Sequence, residues 1–366
     1  MNLAFTEDQR FIQDQANKFL QAQCTAAHVR EILESQETFH QSLWQQIVDL
    51  GWPALSIPES YGGLGLGFLE LCLIAEELGK ALAPVPFLSS VVLATEALKA
   101  SADETIKQDY LTQLATGESI GCVALNHLAA RSVVVENNTL SGSLLPVFDG
   151  GVANFLIFAH QDASGQKNLY MTDLTQEAVT ITNLESMDPS KNLAKLEFND
   201  AEYTELSFDV ETSMLIEKLM NTAAVITAFE QFGGAEKAMH TGIEYTKNRY
   251  AFGRQVASFQ AIKHKFADMF VALELAKSNA YYAAWALSSD APELKLAAAT
   301  ARVSASDAYY DISKENIEVH GGMGFTWEFD CHLYYRRAQY LAAVIGAQPV
   351  WQEKLVDALI ANGIAA

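Results

Sequence analysis

Apolar residues recur along this chain with a period that changes twice, from helical to alternating and back to helical. Residues 1–116 read as helix. Gln9 stands three places after Thr6, the arrangement of a capping box, in which hydroxyl and amide each satisfy a free backbone N–H. Trp44, Ile47, Val48 and Leu50 sit at helical spacing, with Gly51 as a stop. Residues 59–67, ESYGGLGLG, read as a loop, and FLELCLIAEELGKALA at 68–83 as a further helix. The loop glycines lack a preceding strand and the spacing of a dinucleotide fingerprint, so they are assigned to loop freedom and close helix packing.

Residues 117–211 alternate instead. SIGCVAL, RSVVVEN, NTLSGSLLPVF, NFLIFAH, NLYMTDL, AVTIT and KLEFN are short, rich in β-formers, and separated by Asn, Gly, Asp and Ser. Asn137 with Asn138, and residues 162–165, read as hairpin turns. The pattern predicts an antiparallel β-domain. Residues 212–366 return to the helical period. Ile216, Leu219, Ala223, Ile226, Phe229 and Phe232 form one apolar stripe. A second long helix opens near Ser258, a third runs up to Gly321 and Gly322, and a fourth begins near Asp330. Long helices joined by short loops predict an antiparallel bundle.

Composition narrows the function classes. The chain has 366 residues, half of them apolar, and a formal charge of −21. That charge argues against nucleic acid or an anionic membrane as partner. An anionic ligand would have to be met by a few placed cations. No apolar run reaches the length of about 18 residues that spans a bilayer, and the opening MNLAFTEDQRFIQ lacks the order of a signal peptide. The expected setting is cytoplasmic. Cys24, Cys72, Cys122 and Cys331 are far apart and form no CxxC, so neither disulfides nor a metal site is expected.

Two blocks carry candidate chemistry. In RYAFGRQVASFQAIKHKFADM, Arg249 follows a long helix and precedes Phe252, Gly253 and a new helix. Arg249 and the N–H groups of the new helix can hold an anion, and Phe252 can lie flat against a ring; the same residues also suit an ordinary helix–helix turn closed by Gly253. In IEVHGGMGFTWEFDCHLYYRRA, Gly321, Gly322 and Gly324 allow close backbone approach and an anion nest, or simply end a helix. His320 reads as structural, and no catalytic triad or metal spacing can be picked out.

The order RxxFGxxxxxFQ and then GGxGF, with PESYGGLGLGFLELCLIAEELGKALAPVPF and FDGGVANF before them, resembles the acyl-CoA dehydrogenases over essentially the whole chain. The resemblance implies a fold of N-terminal helices, a middle antiparallel β-barrel and a C-terminal four-helix bundle. It also implies an oligomer binding FAD between subunits, and α,β-desaturation of an acyl-CoA thioester. The FAD of a neighbouring subunit would be met by Arg249, Phe252, Gln260, Glu318, Gly321 and Gly322. At position 318 the family carries Gln, and a carboxylate there would repel a pyrophosphate.

The positions that would face the chain's own FAD depart further. The family's Trp-x-Thr is Pro146, Val147 and Phe148; its hydroxyl- and glycine-rich loop is CVALNHLAA; its catalytic Glu-Gly-Thr is Ile345, Gly346 and Ala347. A second base position known in the family falls near Ala223. Glu230 lies about two turns further along the same face. In its apolar stripe it is either the catalytic base or one half of an ion pair across a helix contact. Glu328 reads as structural. Three functions follow from the resemblance: an acyl-CoA dehydrogenase acting in a homo- or hetero-oligomer, with an α2β2 complex favoured; a catalytically silent subunit that completes a sister chain's FAD site; or a flavin hydroxylase or oxidase of the same fold.

Overall fold

The computed structural model describes residues 5–364 except Gln36, Thr38, residues 126–132, Asn137 and Ala163. The N-terminal region forms α1 (Glu7–Gln23), α2 (Ala26–Glu34), α3 (Gln41–Asp49), α4 (Phe68–Ala81), α5 (Thr95–Lys99) and α6 (Glu104–Ala115), with a π-helical stretch at Phe87–Ala94. The middle region holds β1 (Gly121–Ala124), β2 (Val133–Glu136), β3 (Thr139–Phe148), β4 (Phe155–Gln161), β5 (Lys167–Asp173), β6 (Val179–Asn183), β7 (Leu193–Ala201) and β8 (Thr204–Glu205). Then follow α7 (Thr212–Asn248), a hairpin of β9 (Tyr250–Ala251) and β10 (Arg254–Gln255), α8 (Gln260–Ser288), α9 (Leu294–Val319), α10 (Cys331–Ala343) and α11 (Gln348–Ala361). No helix among the described residues is long and apolar enough to cross a membrane.

Local chemistry sets the boundaries. Both bonds of the Thr6–Gln9 capping box form. Gly51 adopts φ 76°, open to glycine, just after α3. The stripe from Ile216 to Phe232 is buried throughout. All four cysteines are buried and none is in a disulfide. Three elements have no counterpart in the sequence reading: β8, the β9–β10 hairpin and α11. The first two are two residues long and carry no periodicity, and α11 opens on Ala347 without a capping side chain.

By compactness the chain forms two units, one of residues 1–29, 68–83 and 224–366, the other of residues 30–67 and 84–223. The second unit contains two four-stranded sheets, β1-β4-β5-β8 and β2-β3-β7-β6. The expected antiparallel β-domain needs one correction, because β1 pairs with β4 in parallel. Alternation shows that a segment is a strand but not which way it runs beside a partner distant in sequence. Asp149, at φ 57°, opens the glycine turn after β3, and Ser89 Oγ donates to its Oδ2 at 2.5 Å.

The first unit is helical, and its tightest point is the crossing of α4 and α7. A Cβ placed on Gly79 would lie 2.0 Å from the Glu230 carbonyl oxygen, and one on Gly233 would lie 2.1 Å from the Glu76 carbonyl oxygen. The two backbones therefore touch through reciprocal glycines, and neither helix has a side chain to spare at the contact. Gly79→Ala should lower the unfolding free energy by about 3 kcal/mol, because the clash is with backbone and cannot relax by a rotamer change. An unchanged midpoint in urea denaturation would show that the helices can part freely.

Candidate functional site

The two sequence blocks meet at one end of the helical unit. α7 ends at Asn248, whose side chain donates back to the Glu244 carbonyl at 2.9 Å. The chain then turns through the β9–β10 hairpin, in which Tyr250 pairs with Gln255 and Ala251 with Arg254. Only Phe252 and Gly253 remain for the bend, at φ 53° and 79°. A two-residue turn with both residues left-handed matches the twist of its strands, but a phenylalanine there is strained. Phe252 stands out from the surface, 95% exposed. Arg249 and Gln260 are exposed beside it, and the Arg254 guanidinium lies 4.0 Å over the Phe259 ring. No side chain caps the start of α8, so its first N–H groups and positive dipole end are left to a ligand or solvent.

α9 reaches the same end. Gly242 on α7 lets α9 approach, since a Cβ there would lie 2.9 Å from the Asn316 amide oxygen and 3.1 Å from Val319. His320 closes α9, its Nδ1 lying 2.7 Å from the Asn316 carbonyl oxygen. A carbonyl only accepts, so Nδ1 carries the proton; burial lowers the imidazole's pKa and favours the neutral ring. That ring stacks on Tyr245 of α7 with centroids 4.1 Å apart, and Phe329 packs edge-on against both. His320 thus joins the two turns, which gives its structural role a definite partner in Tyr245. Gly321 then turns at φ 60°, and a Cβ on Gly321, Gly322 or Gly253 would meet nothing within 4 Å. Phe325 is 83% exposed.

The electrostatics of this end oppose those of the chain. Lys247, Arg249, Arg254, Lys263 and Lys265 occur in a stretch with no Asp or Glu, in a protein of net charge −21. Lys265 Nζ bonds Glu315 and lies 3.1 Å from Glu318 on α9. Lys265 holds the Glu318 carboxyl below the usual carboxylate range. Placed guanidinium groups, free backbone N–H groups and an exposed aromatic face can together hold a ligand that is part anion and part planar ring.

The other sequence-predicted positions that the structure describes are mostly apolar. Pro146 is exposed, Val147 buried and Phe148 half-buried. Within CVALNHLAA, residues 126–130 lie outside the described residues. Ile345 is buried, and its carbonyl accepts from Trp351 Nε1 at 3.1 Å. Ala347 precedes α11, and Ala223 is fully buried. The side chains of Pro146, Val147, Phe148, Ile345, Ala347 and Ala223 cannot take a proton.

Glu230 is buried on α7, and Arg337 of α10 donates to its Oε1 at 3.2 Å and to the Leu82 carbonyl at 2.9 Å. This is the ion-pair arrangement that the sequence reading set beside the base role. A larger ionic group lies along the same α4–α7 contact. Lys80 bonds Glu76 at 2.7 Å, Glu77 at 2.9 Å and Glu236 at 3.0 Å, and Lys277 approaches Glu236 at 3.6 Å. Gln13 and Asn17 of α1 donate to Glu77. Its sequence signal was EELGK, acids three and four places before a lysine inside an apolar run. Burial raises the Glu76 carboxyl's pKa against the opposing pull of Lys80 and Lys277, and its Oε2 has no hydrogen-bond partner.

The family descriptions "Acyl-CoA dehydrogenase, N-terminal domain" and "Acyl-CoA dehydrogenase, C-terminal domain" match residues 6–118 and 214–359. Acyl-CoA dehydrogenase IpdE2 of Mycobacterium tuberculosis (strain ATCC 25618 / H37Rv) is 32% identical over 340 residues, 93% of each chain. The structure of the ChsE4-ChsE5 complex from Mycobacterium tuberculosis superposes with TM-score 0.89 at 25% identity, covering 98% of this chain and 99% of that one. Butyryl-CoA dehydrogenase from Megasphaera elsdenii shares the fold, with TM-score 0.88 at 23% identity over 98% of this chain and all of that one.

The buried carboxyl yields a test by pH. Its raised folded-state value means that Glu76 contributes stability in full below the unfolded-state value of about 4.3. That contribution is lost as pH rises through the folded value. The stability of Glu76→Gln relative to wild type should therefore improve as pH rises above about 4.3 and level off once the folded-state value is passed. Parallel stability–pH curves for the two proteins would contradict this.

Proposed function

Because the chain belongs to the acyl-CoA dehydrogenase family, oxidoreductases acting on CH–CH bonds, we propose that it works in a heteromeric acyl-CoA dehydrogenase as the subunit that completes a sister chain's FAD site. The supporting observation is the uneven distribution of chemistry. Residues expected to face a neighbour's FAD cluster at one end of the helical unit, exposed and basic. Positions expected to face the chain's own FAD hold Pro146, Val147, Phe148, Ile345 and Ala347. Losses concentrated on one side of a cofactor, with Glu318 the one departure on the other, suit a division of labour between two chains.

The exposed end fits such a ligand. The open space around Gly253, Gly321 and Gly322 leaves room for a pyrophosphate against backbone N–H groups. Arg249 holds the pyrophosphate charge, Gln260 adds a polar contact, and Phe252 covers a ring face. FAD, when bound, supplies the acceptor for the β-hydride of an acyl-CoA. Glu318 enters this contact as part of an ion pair with Lys265. Exposed Phe270, Val271 and Leu275 on α8 add apolar surface for a permanent interface.

Glu230 is assigned a supporting role. To act as base it would have to leave Arg337, and a buried guanidinium stripped of its partner is strongly unfavourable. The carboxylate that removes the α-proton then comes from the sister chain. The complex is α2β2, cytoplasmic, with one FAD per pair of chains. It desaturates an acyl-CoA, and an α-proton so weakly acidic needs that base and hydrogen bonds to the thioester carbonyl together.

Three outcomes test the reading. The chain purified alone should show little absorbance near about 450 nm, and co-expression with the sister chain should restore it. Full FAD occupancy as a homo-oligomer, bleached by acyl-CoA, would refute the split site. In the complex, Arg249→Ala should reduce FAD content about tenfold or more through loss of a charge-assisted bond; unchanged occupancy would make Arg249 a turn residue. Glu230→Gln should leave turnover nearly intact once folded protein is normalised, whereas abolished turnover would return the base to this chain.

A further inference from the structure

Glu318 occupies a position where the resemblance puts an amide against a pyrophosphate. An amide donates a hydrogen bond, whereas a carboxylate only accepts and repels an anion. The structure places a cation beside that carboxylate. Lys265, on the second turn of α8, reaches across to α9, with Nζ 3.1 Å from Glu318 Oε2 and bonded also to Glu315 Oε2. An ammonium has three N–H donors, and these two carboxylates take two. The group is accessible, with side-chain exposures of 31% for Lys265 and 58% for Glu318. Glu318 lies three places before Gly321, whose surroundings are open.

Resting on the function proposed above, we propose that Lys265 is a phosphate-binding residue of this site. Its remaining N–H replaces the missing amide, and Glu315 and Glu318 hold the ammonium in place. The ligand class is the pyrophosphate of a dinucleotide bound mainly by the sister chain. Charge counting supports the assignment. Losing Lys265 lowers the local charge by one unit, and losing the Glu318 charge with it restores the original balance.

The experiment is a double-variant cycle on the two-chain complex stripped of flavin, titrated with FAD and followed by quenching of flavin fluorescence. Lys265→Met should weaken FAD binding about thirtyfold, the effect of a lost charge-assisted bond beside an exposed carboxylate. Glu318→Gln alone should not weaken it. Lys265→Met combined with Glu318→Gln, which restores the neutral amide, should bind within about threefold of wild type. If the double variant binds as poorly as Lys265→Met, the lysine acts by tying α8 to α9 and the inference is overturned. It is overturned equally if Lys265→Met binds like wild type. The melting temperature of flavin-free Lys265→Met should stay near that of wild type, and a large drop would also assign the effect to folding. If the wild-type complex binds no FAD, both the function and this inference fail. If wild type binds, Arg249→Ala is impaired and Lys265→Met is not, this inference fails alone.

Discussion

The contact on which the helical unit depends is the crossing of α4 and α7, where Gly79 meets the Glu230 carbonyl and Gly233 meets the Glu76 carbonyl. Backbones this close leave no room for side chains at the contact, so neighbouring long side chains are pushed to its flanks. Glu76, Lys80, Glu230 and Glu236 all lie within a turn of it, the first and third buried and the other two half-buried, and each is placed where its charge must be answered. Lys80 answers three carboxylates and Arg337 a fourth. Buried pairs of this kind add little net stability over apolar packing, but they are severe on any alternative that separates them. The crossing therefore has one well-defined geometry, and the long helix α7 carries that geometry to the hairpin at its far end.

At that end the constraint is reversed. Instead of closing the core, the chain exposes what it would ordinarily hide: a phenylalanine in a strained conformation, a second one nearly bare, glycines with open space around them, and cations in an acidic protein. Tyr245 and His320 join the ends of α7 and α9, and Lys265 joins α8 to α9. These tertiary contacts rigidify a surface that has no internal use for its exposed groups. Such preorganisation reduces the entropy lost when another molecule is bound. It suits a subunit whose contribution to a cofactor site is made outward.

Much of this was legible from the residues. The three-region plan, the capping box, the apolar stripe of α7 and the approximate starts of α8 and α10 come from periodicities of 3.6 and 2 and from capping chemistry, which are local. The RxxFG and GGxGF blocks were recognisable for a related reason: turns with left-handed backbone need particular residues at particular places. The departures at 146–148 and 345–347 were equally readable, because the chemical groups present at a position are a property of the sequence itself.

What the sequence could not decide were the pairings between distant residues. It set out two roles for Glu230 but could not supply Arg337, more than a hundred residues away, which in the folded chain lies 3.2 Å from it. It showed a carboxylate at 318 but not the lysine on another helix that answers it. It marked β1 as a strand but not its parallel alignment with β4, and read His320 as structural without the tyrosine that it stacks upon. By itself the sequence determined the elements, their turns and the inventory of chemical groups, because those follow from short-range sterics and hydrogen bonding. Only the tertiary structure decided which charge meets which, because Coulomb energies and desolvation depend on separation in space, and the packing of helices sets that separation independently of distance along the chain.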